Sequence, residues 1–174
     1  ATVDEVRQPV TPQIPSDVNN IGARINLTGA PKAELFLLNI GLMDVNRFTF
    51  LIEQGVINEF SHTGAREMFL AAERQYRQMP NEFAKLSAKL MLITNTPQFL
   101  AMQLAEPLSS MDSVGLDKLM GDCIRQVKEK YLRQKTRELA ASLKSAPSEE
   151  QAKKLEQIMN IQKNKHTLRR DRET

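Results

Sequence analysis

"LDKLMGDCIRQVKEKYLRQKTRELAASLK", residues 116–144, is the stretch that decides the fold. It holds no Pro, and its apolar residues recur at three- and four-residue spacing for longer than a small helical bundle requires. Asp112 or Ser113 supplies a start signal, so the pattern predicts one helix from there to about Lys144, roughly 45 Å long. Leu116, Leu119, Met120, Cys123, Ile124, Val127 and Tyr131 form one apolar stripe. Leu132, Thr136, Leu139 and Leu143 form a second, turned from the first by roughly a third of a circle. A single helix with two stripes has two packing partners.

The downstream partner is "SAPSEEQAKKLEQIMNIQ", residues 145–162. Ala146 and Pro147 make a turn, Ser148 and Gln151 have capping-box spacing, and Glu149 and Glu150 complement the positive end of a helix dipole. The face expected to pack on Leu139 and Leu143 gathers Ala152, Leu155, Ile158, Met159 and the stem of Gln162, giving an antiparallel helical hairpin. On that wheel Ile161 and Leu168 point elsewhere and are expected to be open to another protein.

The upstream partner is a set of short helices. Pro31 opens "KAELFLLNIGLM", where Leu35, Leu38 and Leu42 share a face that Phe36 and Ile40 widen. Asp44 is the expected cap of "VNRFTFLIEQ", which Gly55 terminates. Ser61 or Thr63 starts a third helix carrying Met68, Phe69, Ala72 and Tyr76. Asn81 is the expected cap of a fourth, and Thr96 with Pro97 opens a fifth that ends near residue 106. Pro9, Pro12 and Pro15 mark residues 1–29 as a flexible linker.

The expected fold class is therefore all-α: a bundle of about five short helices, a long connecting helix and a C-terminal antiparallel hairpin. The division is a linker at 1–29, a bundle subdomain at 30–130, and the hairpin with its basic tail at 131–174. Composition agrees, since Trp is absent, aromatics are 5% and the 8 Met outnumber the 7 Gly. One cysteine excludes an internal disulfide, and no apolar run reaches the roughly 20 residues of a membrane span. The chain is expected to be cytoplasmic. Starting at Ala1 with no signal-like segment and no initiator Met, it is also expected to be part of a longer protein.

Charge is unevenly spread. Residues 1–124 carry 10 Lys/Arg against 14 Asp/Glu, whereas residues 125–174 carry 14 against 7, which favours steering towards an acidic partner. Catalytic patterns are missing: there is no phosphate-cradling Gly-rich loop, paired metal-binding carboxylate motif, His/Cys cluster or nucleophile elbow. His62 reads as a helix-start surface residue, Cys123 as a small buried hydrophobe, and Glu149 and Glu150 as dipole-complementing charge. The basic run "KNKHTLRRDR" lacks interleaved aromatics, so direct nucleic-acid contact is expected to be weak.

Three stretches carry a family resemblance. "PKAELFLLNIGLM" resembles the opening helix of the helicase-binding C-terminal domain of bacterial DnaG-type primases. "NEFSHTGAREMFLA" resembles that family's signature, here Phe60, Arg66, Met68 and Phe69, and residues 116–164 are similar to its long helix and hairpin. The resemblance covers about residues 31–168. It implies a non-catalytic module of the primosome that docks on the N-terminal collar of the hexameric replicative helicase. In the family the hairpin supplies most of the affinity, and the bundle stimulates the helicase. The implied contact is Leu155, Ile158, Met159, Ile161 and Leu168, with Lys163, Lys165, Arg169 and Arg170 steering association; Leu155, Ile158 and Met159 are also readable as internal hairpin core, the favoured reading for Leu155 and Ile158. Zinc and magnesium would belong to the family's upstream catalytic regions, and no cofactor is expected here. Alternatives are the N-terminal scaffold domain of the helicase and a basic helical nucleic-acid-binding regulator.

Overall fold

Pro31 precedes α1 (Lys32–Met43) and, having no amide hydrogen, fits the helix entry without breaking a bond. The computed structural model describes residues 24–94, 108 and 110–171. Among them α1 is followed by α2 (Val45–Gln54), α3 (Thr63–Gln78), α4 (Leu86–Ile93), α5 (Ser113–Leu143) and α6 (Ser148–Arg170). Short 3₁₀ turns cover Val56–Glu59 and Pro80–Lys85, and no strand occurs among the described residues. The protein is all-α. The fifth short helix expected from Thr96 and Pro97 lies outside the described residues.

α1 is the axis of the bundle. Leu35, Leu37, Leu38, Ile40 and Leu42 are all buried, so the helix is covered on every side, chiefly by α2 and α5. Asp44 accepts from the amides of Asn46 and Arg47, and Gly55 ends α2 in the left-handed region at φ 62°. Arg47 then clamps α2 to the start of α5, its Nε donating to Asp117 at 2.9 Å and Nη2 to the Ser113 hydroxyl at 2.9 Å.

Aromatic packing joins the remaining pieces. Phe48 of α2 stacks on Phe69 of α3 with centroids 5.0 Å apart, while Phe60 meets Phe69 edge-on at 6.3 Å. Tyr76 and Phe83 close the other side of Phe48. Arg66 donates to the carbonyl of Phe60, so the Phe60, Arg66, Met68 and Phe69 pattern is a core-building device.

Residues 25–28, read from sequence as the end of the linker, belong to the bundle. Ile25 donates to the Ile93 carbonyl at 2.9 Å, and Leu27 is fully buried. This strap crosses the start of α3, where it packs directly over Gly64.

Two expected caps are corrected. α3 is capped by His62 itself, whose Nδ1 accepts from the Ala65 amide, because Ser61 is held by Glu34. Asn81 caps nothing: Pro80 starts a 3₁₀ turn, Glu82 departs from helical geometry, and the α-helix begins only at Leu86. Asp112 does cap α5, accepting from Gly115 at 2.7 Å, and the helix runs unbroken past Tyr131.

Candidate partner-binding site

α6 packs on α5 in an antiparallel hairpin, joined by the turn through Pro147. The expected capping box does not form: Ser148 is already helical, and the Gln151 side-chain Nε2 donates to the Ala146 carbonyl at 3.0 Å. The seam of α6 is made by Gln151, Lys154, Ile158, Ile161, Lys165 and Leu168, the half-buried positions that recur at alternating three- and four-residue steps. Ile161 borders a shallow groove of about 540 Å³ with Leu139 and Ser142 of α5.

This arrangement corrects the sequence-based placement. Ile161 and Leu168 lie in the seam, while Leu155 and Met159 face solvent at 49% and 61% exposure. The physical cause is the pair of lysines. Lys154 and Lys165 occupy half-buried seam positions, which a lysine tolerates because its long methylene stem can be covered while its ammonium stays in water. A wheel that credits only apolar residues turns the face by roughly 100°, one residue's rotation. Ile158 is half-buried and belongs to the seam, as one of the two sequence readings had it.

Leu155 and Met159, four residues apart on α6, therefore form the outward apolar pair. Ala152 and Gln162 flank them on the helical wheel, and Lys163 stands exposed at one side. Arg170 is exposed beyond that face, whereas Lys165 and Arg169 turn towards α5 and line a cleft with Glu129 and Arg133. The four cations named for steering thus divide between two surfaces.

Glu34 is a polar feature the sequence pattern did not reveal. Only 1% exposed, its carboxylate accepts from the Ser61 amide at 2.7 Å, the Ser61 hydroxyl at 2.6 Å and the His62 amide at 3.1 Å. Lys130 of α5 donates to the same hydroxyl at 2.9 Å, so one network joins α1, the start of α3 and α5. Its signal in sequence, a lone Glu in the first turn of an apolar helix, is indistinguishable from ordinary dipole complementation.

Burial, helped by the neighbouring Asp122 carboxylate, pushes the Cys123 thiol up to about 11, so it behaves as the small buried hydrophobe expected of it. Among the described residues no cluster of three or more His, Cys, Asp or Glu is placed to hold a metal ion, and no helix is long and apolar enough to cross a membrane.

No family model matches this chain, and no curated protein or solved structure matches it either.

Proposed function

We propose that the chain is a non-catalytic docking module, the helicase-interaction domain of a DnaG-type primase. In this reading it recruits the primase to the N-terminal collar of the hexameric replicative helicase and modulates that helicase during primer synthesis. The observation that carries the reading is the exposed Leu155–Met159 pair on α6, a helix with no fully buried residue of its own. An apolar pair on the outside of a projecting helix is the sort of anchor that a partner's groove covers. The three family-like stretches, all of which lie in helical or core-forming positions, are compatible with the same architecture.

The placement of the seam revises the proposed contact. Leu155 and Met159 are the apolar anchors and Lys163 and Arg170 the rim charges, while Ile158, Ile161 and Leu168 support them from inside the hairpin. Titration of the chain against the replicative helicase of the same organism tests this. Saturable binding that persists at moderate salt is expected, and the Leu155→Asp, Met159→Asp double variant should weaken it by at least roughly 30-fold, about 2 kcal/mol. Undiminished binding by that variant, with its helicity intact, would remove the α6 face from the proposal. No binding by the unmodified chain would remove the proposal itself.

A further inference from the structure

Among the described residues several cations without a salt bridge gather on one side of α5. Lys32 at the start of α1, Lys130, Arg133 and Arg137 on α5 border a groove of about 580 Å³. Arg133 also borders the neighbouring cleft, of about 230 Å³, whose other wall carries Lys165 and Arg169 of α6. Arg133 and Glu129 are common to both, so the two depressions form one channel: α5 is its floor, and the first turn of α1 and the last turns of α6 are its walls.

Its charge is largely uncompensated. The salt bridges of the described residues involve Arg47, Arg77, Lys85, Lys89, Arg125, Lys135 and Lys154, and none involves Lys32, Arg133, Arg137, Lys165 or Arg169. Among the described residues Glu34 is turned inward and held by Ser61 and His62, which leaves Glu129 as the carboxylate lining the channel, with Asp122 and Asp171 bordering the depression beside it. α1 has no side-chain cap, and its free first-turn amides add positive potential along the same wall. Like charges collected this closely raise the energy of the isolated protein, and a polyanion lowers it.

We infer that this channel binds the sugar–phosphate backbone of a single-stranded nucleic acid. The lining argues against the common alternative of a docked acidic protein segment. Its apolar members are Pro31, Ala33 and the buried Val127, none of them an anchor pocket, whereas protein partners draw most of their affinity from buried apolar or aromatic anchors. A phosphodiester chain needs no such anchor, because counterion release supplies its affinity and guanidinium forks match its oxygens. Among the described residues no aromatic side chain lines the channel, so base stacking has no platform there and recognition is independent of sequence. The basic tail considered alone gave no such surface; it arises only when α1, α5 and α6 are brought together.

The inference is independent of the helicase reading, which uses the exposed Leu155 and Met159. Its test is fluorescence anisotropy of a short labelled oligothymidylate titrated with the whole chain at roughly 50 and 200 mM salt. Neutralising three phosphates predicts a loss of affinity of about 20-fold between those salts. The R133Q/R137Q variant should bind about tenfold more weakly at the lower salt, with the salt slope reduced by about 1.4, and K165Q/R169Q should behave alike from the other wall. The control K144Q/K153Q, which removes two charges outside the channel, should stay within about twofold of the unmodified chain. No binding at the lower salt, or an equal loss in the control, would overturn the site. An oligoglutamate of equal charge that displaces the oligonucleotide as effectively as unlabelled oligothymidylate would overturn its assignment to nucleic acid.

Discussion

At the residue scale, Gly64 shows how little room the strap leaves. A Cβ built there would stand 1.9 Å from the Asn26 carbonyl oxygen, a backbone atom fixed by the Ile25 bond to Ile93 and by the buried Leu27. Gly64→Ala is therefore expected to destabilise the protein by about 2–3 kcal/mol, lowering the melting temperature by roughly 4–12 °C in calorimetry. Nothing in the sequence announced this, because the clash depends on a segment that read as linker. Glu59 acts in the other direction. Burial raises its carboxyl above the ordinary 4.5, Lys128 only partly opposing, and its Oε2 is buried with no hydrogen-bond partner. A raised carboxyl binds its proton more tightly in the folded state, so its contribution is fully present below 4.5 and is lost as pH rises through the raised value. Glu59→Gln should thus stabilise the protein at pH ~7 relative to the unmodified chain, and the difference should shrink towards pH ~4.5 in urea unfolding. An equal difference at both pH values would assign the effect to packing.

At the element scale, legibility followed the chemistry that fixes each helix. α5 could be read closely because its signals are local: an Asp112 cap, no internal Pro, and two apolar stripes. Asp44 and Gly55 delimited α2 in the same way. α3 and α4 were read less well at their starts, since a tertiary contact from Glu34 occupies Ser61 and a proline-led 3₁₀ turn displaces Asn81. The α6 seam was misassigned because a two-helix interface is thin enough for lysine stems to complete it. That correction reverses the roles of two residues. Ile161→Asp, which a solvent-facing Ile161 would have tolerated, places a charge beside Leu139 in the seam and should cost α6 about 2 kcal/mol. Far-ultraviolet circular dichroism should then lose a share of helicity corresponding to α6 while near-ultraviolet signals from the Phe48, Phe60 and Phe69 cluster persist. Unchanged helicity in this variant would restore the solvent-facing placement.

At the scale of the whole molecule, the buried core and the exposed apolar pair of α6 are separated in space. The core draws on α1 to α5 together with the strap, and it holds every fully buried large side chain among the described residues. α6 contributes none, and the long helix α5 is its main partner. A helix of 23 residues has limited stability by itself in water, so the opening of α6 requires only that the α5–α6 seam separate, while the bundle remains closed. Hydrogen exchange read by mass spectrometry should accordingly show peptides from 148–170 exchanging through a local opening well before those from α1 and α3. Partner binding changes the ordering. A ligand that covers Leu155 and Met159 selects the closed α6 and should slow its exchange, by a factor that grows with ligand concentration above Kd, without altering α1. A nucleic-acid strand in the channel bridges α6 to α5 and α1 through Arg169, Arg133 and Lys32, so it too should slow exchange in α6, but only at low salt. The two ligands therefore protect the same helix with different salt dependence, the first persisting at moderate salt and the second lost there. Uniform exchange across 32–170 would show instead that hairpin and bundle open as one cooperative unit, and that α6 is held by more than its seam.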